Sequence, residues 1–209
     1  MNRKVDIRIL LADDHSVVRM GLAALIATEP GFTVVGQAAG GIEAVDLYRQ
    51  LRPDVVLMDH LMPGFTGVQA LAAIRSEFPD ACILILSTSD GDDDIYRALH
   101  AGAAGYLLKS SPGEQLFPAI RTVREGGKWI PPEVARCLAN RSLREELSQR
   151  EIQVLTELAS GGSNKEIAAA LGITEHTVKA HLKNILAKLP ARDRTEAVTV
   201  ALQRGIIHL

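Results

Sequence analysis

The chain has 209 residues, 47% of them hydrophobic and 4% aromatic, with a net charge of −2 and two cysteines. That length allows one large domain or two modest ones, and either could bury an ordinary core. No apolar run approaches transmembrane length. The short run after Arg3 and Lys4 meets Asp13-Asp14 and is too brief for a signal sequence. Cys82 and Cys137 lack metal-ligand spacing, and two scattered thiols suit a reducing compartment. The expected setting is the cytoplasm, with no membrane partner.

The small net charge hides an asymmetry. Residues 1–128 carry 12 Lys and Arg against 16 Asp and Glu; residues 129–209 carry 11 against 9. An acidic first part and a mildly basic second part suit different partners. The basic excess is too small to argue for nucleic acid by itself.

In chain order, Ile7 to Ala12 predicts a first strand that runs straight into Asp13-Asp14. Val17, Val18, Leu22, Leu25 and Ile26 then recur at helical spacing, from near Ser16 until Pro30-Gly31. Phe32 to Ala38 is a second strand, and Ile42, Val45, Leu47 and Leu51 mark a second helix. Val55 to Met58 is an apolar strand between Arg52-Pro53-Asp54 and Pro63-Gly64, with Asp59 at its end. Val68, Leu71, Ile74 and Phe78 give a third helix. Cys82 to Leu86 is a fourth strand ending in Ser87-Thr88, and Cys82 reads as a small buried hydrophobe. A helix over Asp93 to His100 precedes a fifth strand, Gly105 to Leu108, which ends at Lys109. A last helix runs to about Glu125, with a frayed first turn expected at Pro118. Five alternations of strand and helix predict a doubly wound parallel α/β sheet.

Residues 1–127 are thus expected to form this first domain and residues 128–147 a partly helical linker, with Pro132 starting a short helix. Residues 148–209 read as a small all-α domain. Ser148 to Glu151 is a capping box, followed by helices at Ile152 to Leu158, Lys165 to Leu171, Glu175 to about Leu189 and Arg194 to about Arg204. Gly161-Gly162 and Gly172 break the chain between them, and Thr174 caps the third.

The chemistry gathers at strand ends. In open parallel sheets ligands bind at the carboxyl edge, and Asp13, Asp14 and Asp59 all lie there if the first and third strands are neighbours. A lone Asp in such a place is usually a helix cap or turn residue. Capping does not account for two adjacent acids plus a third on another strand. Like charges that close need a cation, and oxygen ligands point to Mg²⁺. Ser87 and Lys109 fall at the same edge. A metal, three acids, a hydroxyl and a lysine suit phosphoryl transfer onto a carboxylate. No glycine-rich dinucleotide loop follows the first strand.

In the second domain, a short helix, the Gly172 turn and a longer capped helix form a helix-turn-helix pattern. Val178, Leu182, Ile185 and Leu189 make an apolar stripe. Lys179 and Lys183 lie one turn apart on another face beside Ala180, flanked by Thr177, His181, Asn184 and Lys188. Lysines so spaced can reach a major groove, although an ordinary solvated face has the same look.

These motifs carry a resemblance. Asp13-Asp14, Asp59 with Met62-Pro63 and Gly67, Ser87, and Gly105 to Lys109 resemble a response-regulator receiver domain. Ser148 to Glu151, Asn164 to Ala168 and Thr177 to His181 resemble the LuxR-type DNA-binding domain. Together they resemble the NarL/FixJ group of two-component regulators over nearly the whole chain.

The resemblance implies a transcription regulator whose Asp59 takes phosphate from a sensor histidine kinase. It implies Mg²⁺ held by Asp14, Asp59 and the Leu61 carbonyl, with Asp13 acting through water. Ser87 and Tyr106 would be a switch pair, with the Tyr106 ring turning inward on phosphorylation, and Lys109 would contact the phosphoryl group. Lys179, Ala180 and Lys183 would face bases of double-stranded DNA, and Lys165, Thr177, Asn184 and Lys188 would lie nearer phosphates. The phosphorylated protein would be a homodimer. It would not be an enzyme on an external substrate, the receiver's chemistry being its own phosphotransfer and dephosphorylation. Thr66, Ser110-Ser111 and Pro190 depart from the family pattern, Pro190 replacing a glycine after the recognition helix. A phosphoesterase using Asp59 leaves the second domain unexplained. A vestigial receiver conflicts with the intact acid cluster. A small-molecule-sensing LuxR regulator would not carry the receiver residues.

Overall fold

The computed structural model describes residues 6–88, 91–111, 113–141 and 145–208, with side chains left aside at 140 and 141. Residues 142–144 of the expected linker lie outside the described residues. The chain divides into two compact units, Met1–Thr88 with Tyr96–Val134 and Ser89–Ile95 with Ala135–Leu209.

Strands β1 (Ile7–Ala12), β2 (Phe32–Ala38), β3 (Val55–Asp59), β4 (Ile83–Ser87) and β5 (Gly105–Leu108) form one parallel sheet in the order β2-β1-β3-β4-β5. Between them run α1 (Ser16–Ala27), α2 (Gly41–Leu51), α3 (Gly67–Glu77) and α4 (Asp92–His100). After β5 come a 3-10 turn (Gly113–Gln115) and α5 (Leu116–Arg124). The expected doubly wound sheet is borne out. Every residue of β3 and β4 is buried, as a central strand covered on both faces requires.

Side chains alternate across the pleat. Ile9, Leu11, Val55, Leu57, Leu84, Leu86 and Leu107 share one cluster with Ile26 of α1 and Ile120 and Val123 of α5. Their neighbours Leu10, Val56, Met58, Ile83, Ile85 and Tyr106 are equally buried and point to the other face. Burying a large apolar side chain contributes about 1.5–3 kcal/mol, so a one-residue slip of any central strand would invert both layers.

Two details differ from the sequence-based expectation, those at Cys82 and Trp129. The fourth strand starts at Ile83, and Cys82 is half-buried just before it, its Sγ 3.7 Å from the Asp80 carbonyl oxygen. Pro118 is the third residue of α5 and so lies in the first turn, as expected. Backbone N–H groups of a first turn have no intrahelical partner, so proline removes nothing there. Trp129 lies alongside β5: its N–H donates to the Ala104 carbonyl at 3.0 Å, and its carbonyl accepts from the Tyr106 N–H at 3.0 Å. Periodicity could not reveal one bridging residue between Gly127 and Pro131.

Next comes α6 (Pro132–Arg141), beginning at the expected proline. In the second unit, α7 (Gln149–Ala159), α8 (Asn164–Leu171), α9 (Glu175–Lys188) and α10 (Arg194–Gln203) surround Val154, Leu155, Ile167, Val178, Ile185 and Ala197. The Ser148–Glu151 capping box forms as expected, and a second one joins Ser163 and Glu166 at the start of α8. Gly172 ends α8 in the left-handed conformation at φ +63°, where a side chain would be strained.

Candidate functional site

Strand order sets the first site. β1 and β3 are neighbours, with Ala12 paired to Met58, so Asp13 and Asp59 emerge side by side at the carboxyl edge. Neither Asp13 nor Asp14 is the N-cap of α1, which is His15 and makes no side-chain cap bond, although Asp13 Oδ1 accepts the His15 N–H at 2.8 Å as a turn residue does. Asp13 and Asp59 are almost fully buried, while Asp14 keeps a quarter of its side chain exposed. Lys109 reaches in from the end of β5, its Nζ 2.6 Å from Asp13 Oδ2 and 2.8 Å from Asp59 Oδ2. Its backbone N–H donates to the Ser87 carbonyl at 2.7 Å, which fixes the root of that side chain. Arg19 donates to the Asp13 carbonyl at 2.6 Å.

Burial pushes the Asp59 carboxyl above its ordinary range; hydrogen bonding to Lys109 offsets only part of this, and the Asp13 charge adds to it. The Leu61 backbone amide also bonds the Asp59 carboxylate. Burial opposes the charge on Lys109, but its bonds to Asp13 and Asp59 win and raise its pKa. Two carboxylates thus share one ammonium, with Asp14 beside them. Asp14 Oδ1 is buried against the His15 ring, and one oxygen each from Asp13, Asp14 and Asp59 lies within 4.8 Å of the others. Such a set of converging carboxylate oxygens fits a hard divalent cation such as Mg²⁺. His15 stands in the same group, its Nδ1 2.9 Å from Asp14 Oδ1. The sequence reading passed over it.

Ser87 is buried at the end of β4, and the Tyr106 ring is fully buried with its centroid 6.2 Å from that of His60. Tyr106 therefore occupies the inward position here, and an expected inward turn on phosphorylation does not start from an exposed ring. Thr66 serves as N-cap of α3 in a capping box with Gln69, so this departure from the family pattern has a local structural role. At Gly67 a Cβ would collide with the Asp59 carbonyl. The loop after β3 closes on the site only with glycine there.

In the second unit the expected stripe of α9 is borne out: Val178, Ile185 and Leu189 are buried and Leu182 packs against them. On the opposite side His176, Lys179, Ala180, Lys183, Asn184 and Ala187 are all exposed, a single helical face at spacings of three and four. His176 belongs to that face and the sequence reading did not include it. Lys165 is exposed on α8. Thr177 is half-buried, and its N–H donates to Thr174 Oγ1 at 3.1 Å. Lys188 departs from expectation. Its Nζ is 2.8 Å from the buried Glu151 carboxylate and 3.1 Å from the Glu146 carbonyl, so its charge is committed inside the unit and not held out for a phosphate. Burial raises the Glu151 pKa, but hydrogen bonds from Lys188 and Ser148 outweigh it and lower the value.

Residues 9–121 match the response regulator receiver domain family, and residues 145–201 match the LuxR family of bacterial regulatory proteins. The fold and both sites define a response regulator, with a receiver joined to a LuxR-type DNA-binding domain for transcription regulation. The chain belongs to that family. It is 40% identical over 207 residues to the response regulator protein VraR of Staphylococcus aureus, covering 97% of this chain and 99% of the relative. Among solved structures, the response regulator ChrA of a heme-sensing two-component system is 41% identical, with a TM-score of 0.59, over 97% of this chain and 99% of that one. A LuxR-family two-component response regulator from Aurantimonas sp. is 39% identical, with a TM-score of 0.63, over 66% of this chain and 99% of that one. The RcsB–DNA complex shares the fold at 24% identity, with a TM-score of 0.69, over 95% of this chain and 98% of that one.

Proposed function

We propose that this cytoplasmic regulator is switched by phosphorylation of Asp59 from a sensor histidine kinase and that the phosphorylated form, as a homodimer, binds double-stranded DNA more tightly. The Lys109 ammonium spanning Asp13 and Asp59 at the sheet edge is the observation that carries this reading. A carboxylate oxygen of Asp59 attacks phosphorus, an acyl phosphate bond forms, and the bond from phosphorus to the donor's imidazole nitrogen breaks. The departing imidazole then takes a proton. Lys109 balances charge on the phosphoryl oxygens as it leaves its carboxylate partner. Asp14, Asp59 and the Leu61 carbonyl would hold Mg²⁺, with Asp13 acting through water; the ion would neutralise charge on the transferring oxygens.

Ser87 and Tyr106 form the switch pair in this reading, one hydroxyl at the end of β4 and one ring beneath it. Phosphate shifts the balance between two arrangements only by its differential affinity for them. On α9, Lys179, Ala180 and Lys183 face bases, while Lys165, Thr177 and Asn184 lie toward phosphates. Lys188 drops out of the phosphate set because Glu151 holds it.

Incubation with a small phosphodonor tests the proposal. The wild type with Mg²⁺ should gain one acid-stable, base-labile phosphoryl group and bind its DNA site more tightly. Asp59→Asn, or wild type with the metal chelated, should do neither. Equal labelling of Asp59→Asn would overturn the assignment.

A further inference from the structure

The carboxylates at the end of β1 and β3 are not alone: His15 supplies a ring nitrogen to the same small volume. Its Nδ1 lies 2.9 Å from Asp14 Oδ1 and 3.5 Å from Asp13 Oδ1. One ligand atom from each of Asp13, Asp14, His15 and Asp59 falls within 4.8 Å of every other. Ligands at opposite corners of an octahedral ion with bonds of about 2.1 Å stand about 4.2 Å apart, and those of a tetrahedral ion stand closer. The four atoms can therefore reach one ion with small adjustments. The His15 backbone supports this placement, because its N–H donates to Asp13 Oδ1 at 2.8 Å and anchors the residue to the cluster it would join. The side chain is 69% exposed, so the imidazole is not held there by core packing.

An all-oxygen site favours Mg²⁺. Adding one imidazole changes the preference, because nitrogen donors suit Zn²⁺, Co²⁺ and similar first-row ions, whose affinity for mixed nitrogen and oxygen sites exceeds that of harder ions. We propose that His15 makes the acidic site a mixed one, able to take a transition-metal ion in competition with Mg²⁺ through its Nδ1 and the adjoining carboxylates. The inference rests on the metal-dependent reading above and extends it. Mg²⁺ would use the oxygens and leave His15 aside, whereas Zn²⁺ or Co²⁺ would use His15 as well.

The full chain should be titrated with Co²⁺, whose visible absorption reports nitrogen and oxygen ligation directly, and separately with Mg²⁺ by thermal shift. Wild type and His15→Ala are compared; the exposure of His15 makes that variant safe for folding. Removing the imidazole should weaken Co²⁺ binding by about tenfold or more and leave Mg²⁺ affinity unchanged, and excess Mg²⁺ should displace Co²⁺ from the wild type. Equal Co²⁺ affinity in both proteins, or Co²⁺ that Mg²⁺ cannot displace, would overturn the role of His15 while leaving Mg²⁺ binding intact. Parallel loss of both ions in His15→Ala would overturn the selectivity. If the wild type bound neither ion, the metal-dependent reading itself would fall, and this inference with it.

Discussion

Both units of this chain bury charge, and they do so to opposite ends. At the edge of β1 and β3, three carboxylates gather, two of them on one lysine ammonium and the third against His15; in the second unit, Glu151 meets Lys188 one to one beneath the start of α7. The first arrangement is out of balance, and the Asp59 carboxyl is pushed up by burial. The second is in balance, and the Glu151 pKa is pulled down. A buried charge alone therefore says little about function. Imbalance is what marks a site awaiting a cation or a phosphoryl group, while a matched pair acts as a brace. The surface proposed to meet DNA lies elsewhere, on the exposed face of α9, where solvated lysines cost almost nothing to hold.

The comparison breaks most visibly at the brace. Glu151→Ala removes a buried ion-pair partner and half of a capping box together. Lys188 keeps 24% of its side chain exposed and so regains some water, which holds the expected loss to about 2–4 kcal/mol in the second unit. Urea unfolding followed by helical circular dichroism measures it. Because the folded pKa of Glu151 is lowered, its contribution is fully present above the ordinary glutamate value of about 4.3. It is lost as pH falls through the lower folded value. That acid-range dependence should flatten in the variant.

The smallest test touches the first unit. The Asp59 pKa is raised, so its destabilising effect is absent below the ordinary aspartate value and fully present above the folded one. Asp59→Asn should therefore stabilise the first unit at neutral pH and not in acid. The only tryptophan of the chain, Trp129, lies beside β5 and reports this unit by fluorescence.

The strands were legible because each is an apolar run that ends in a polar residue, and the acids, Ser87 and Lys109 came with them. What escaped has particular causes. Lys188 looked like a groove-facing lysine because spacing along α9 cannot show a carboxylate 37 residues earlier in the chain. His15 was overshadowed by the two acids before it, although adjacency to a suspected metal cluster was itself a signal. The capping box of Thr66 and Gln69 was written in the sequence as a threonine three residues before a glutamine. It was read only as a departure from a family pattern. The burial of Tyr106 could not be seen, because a ring at the edge of a sheet is placed by what packs beneath it.

The imbalance of charge at the sheet edge is the central claim, and Mg²⁺ tests it most directly. Unfolding of the full chain in urea should be followed by Trp129 fluorescence for the first unit and by amide exchange in α9 for the second. At tenfold its Kd, Mg²⁺ should stabilise the first unit by about 1.4 kcal/mol, leave α9 unaffected, and lose its effect in Asp14→Asn. No stabilisation of the wild type, or equal stabilisation of Asp14→Asn, would contradict the account.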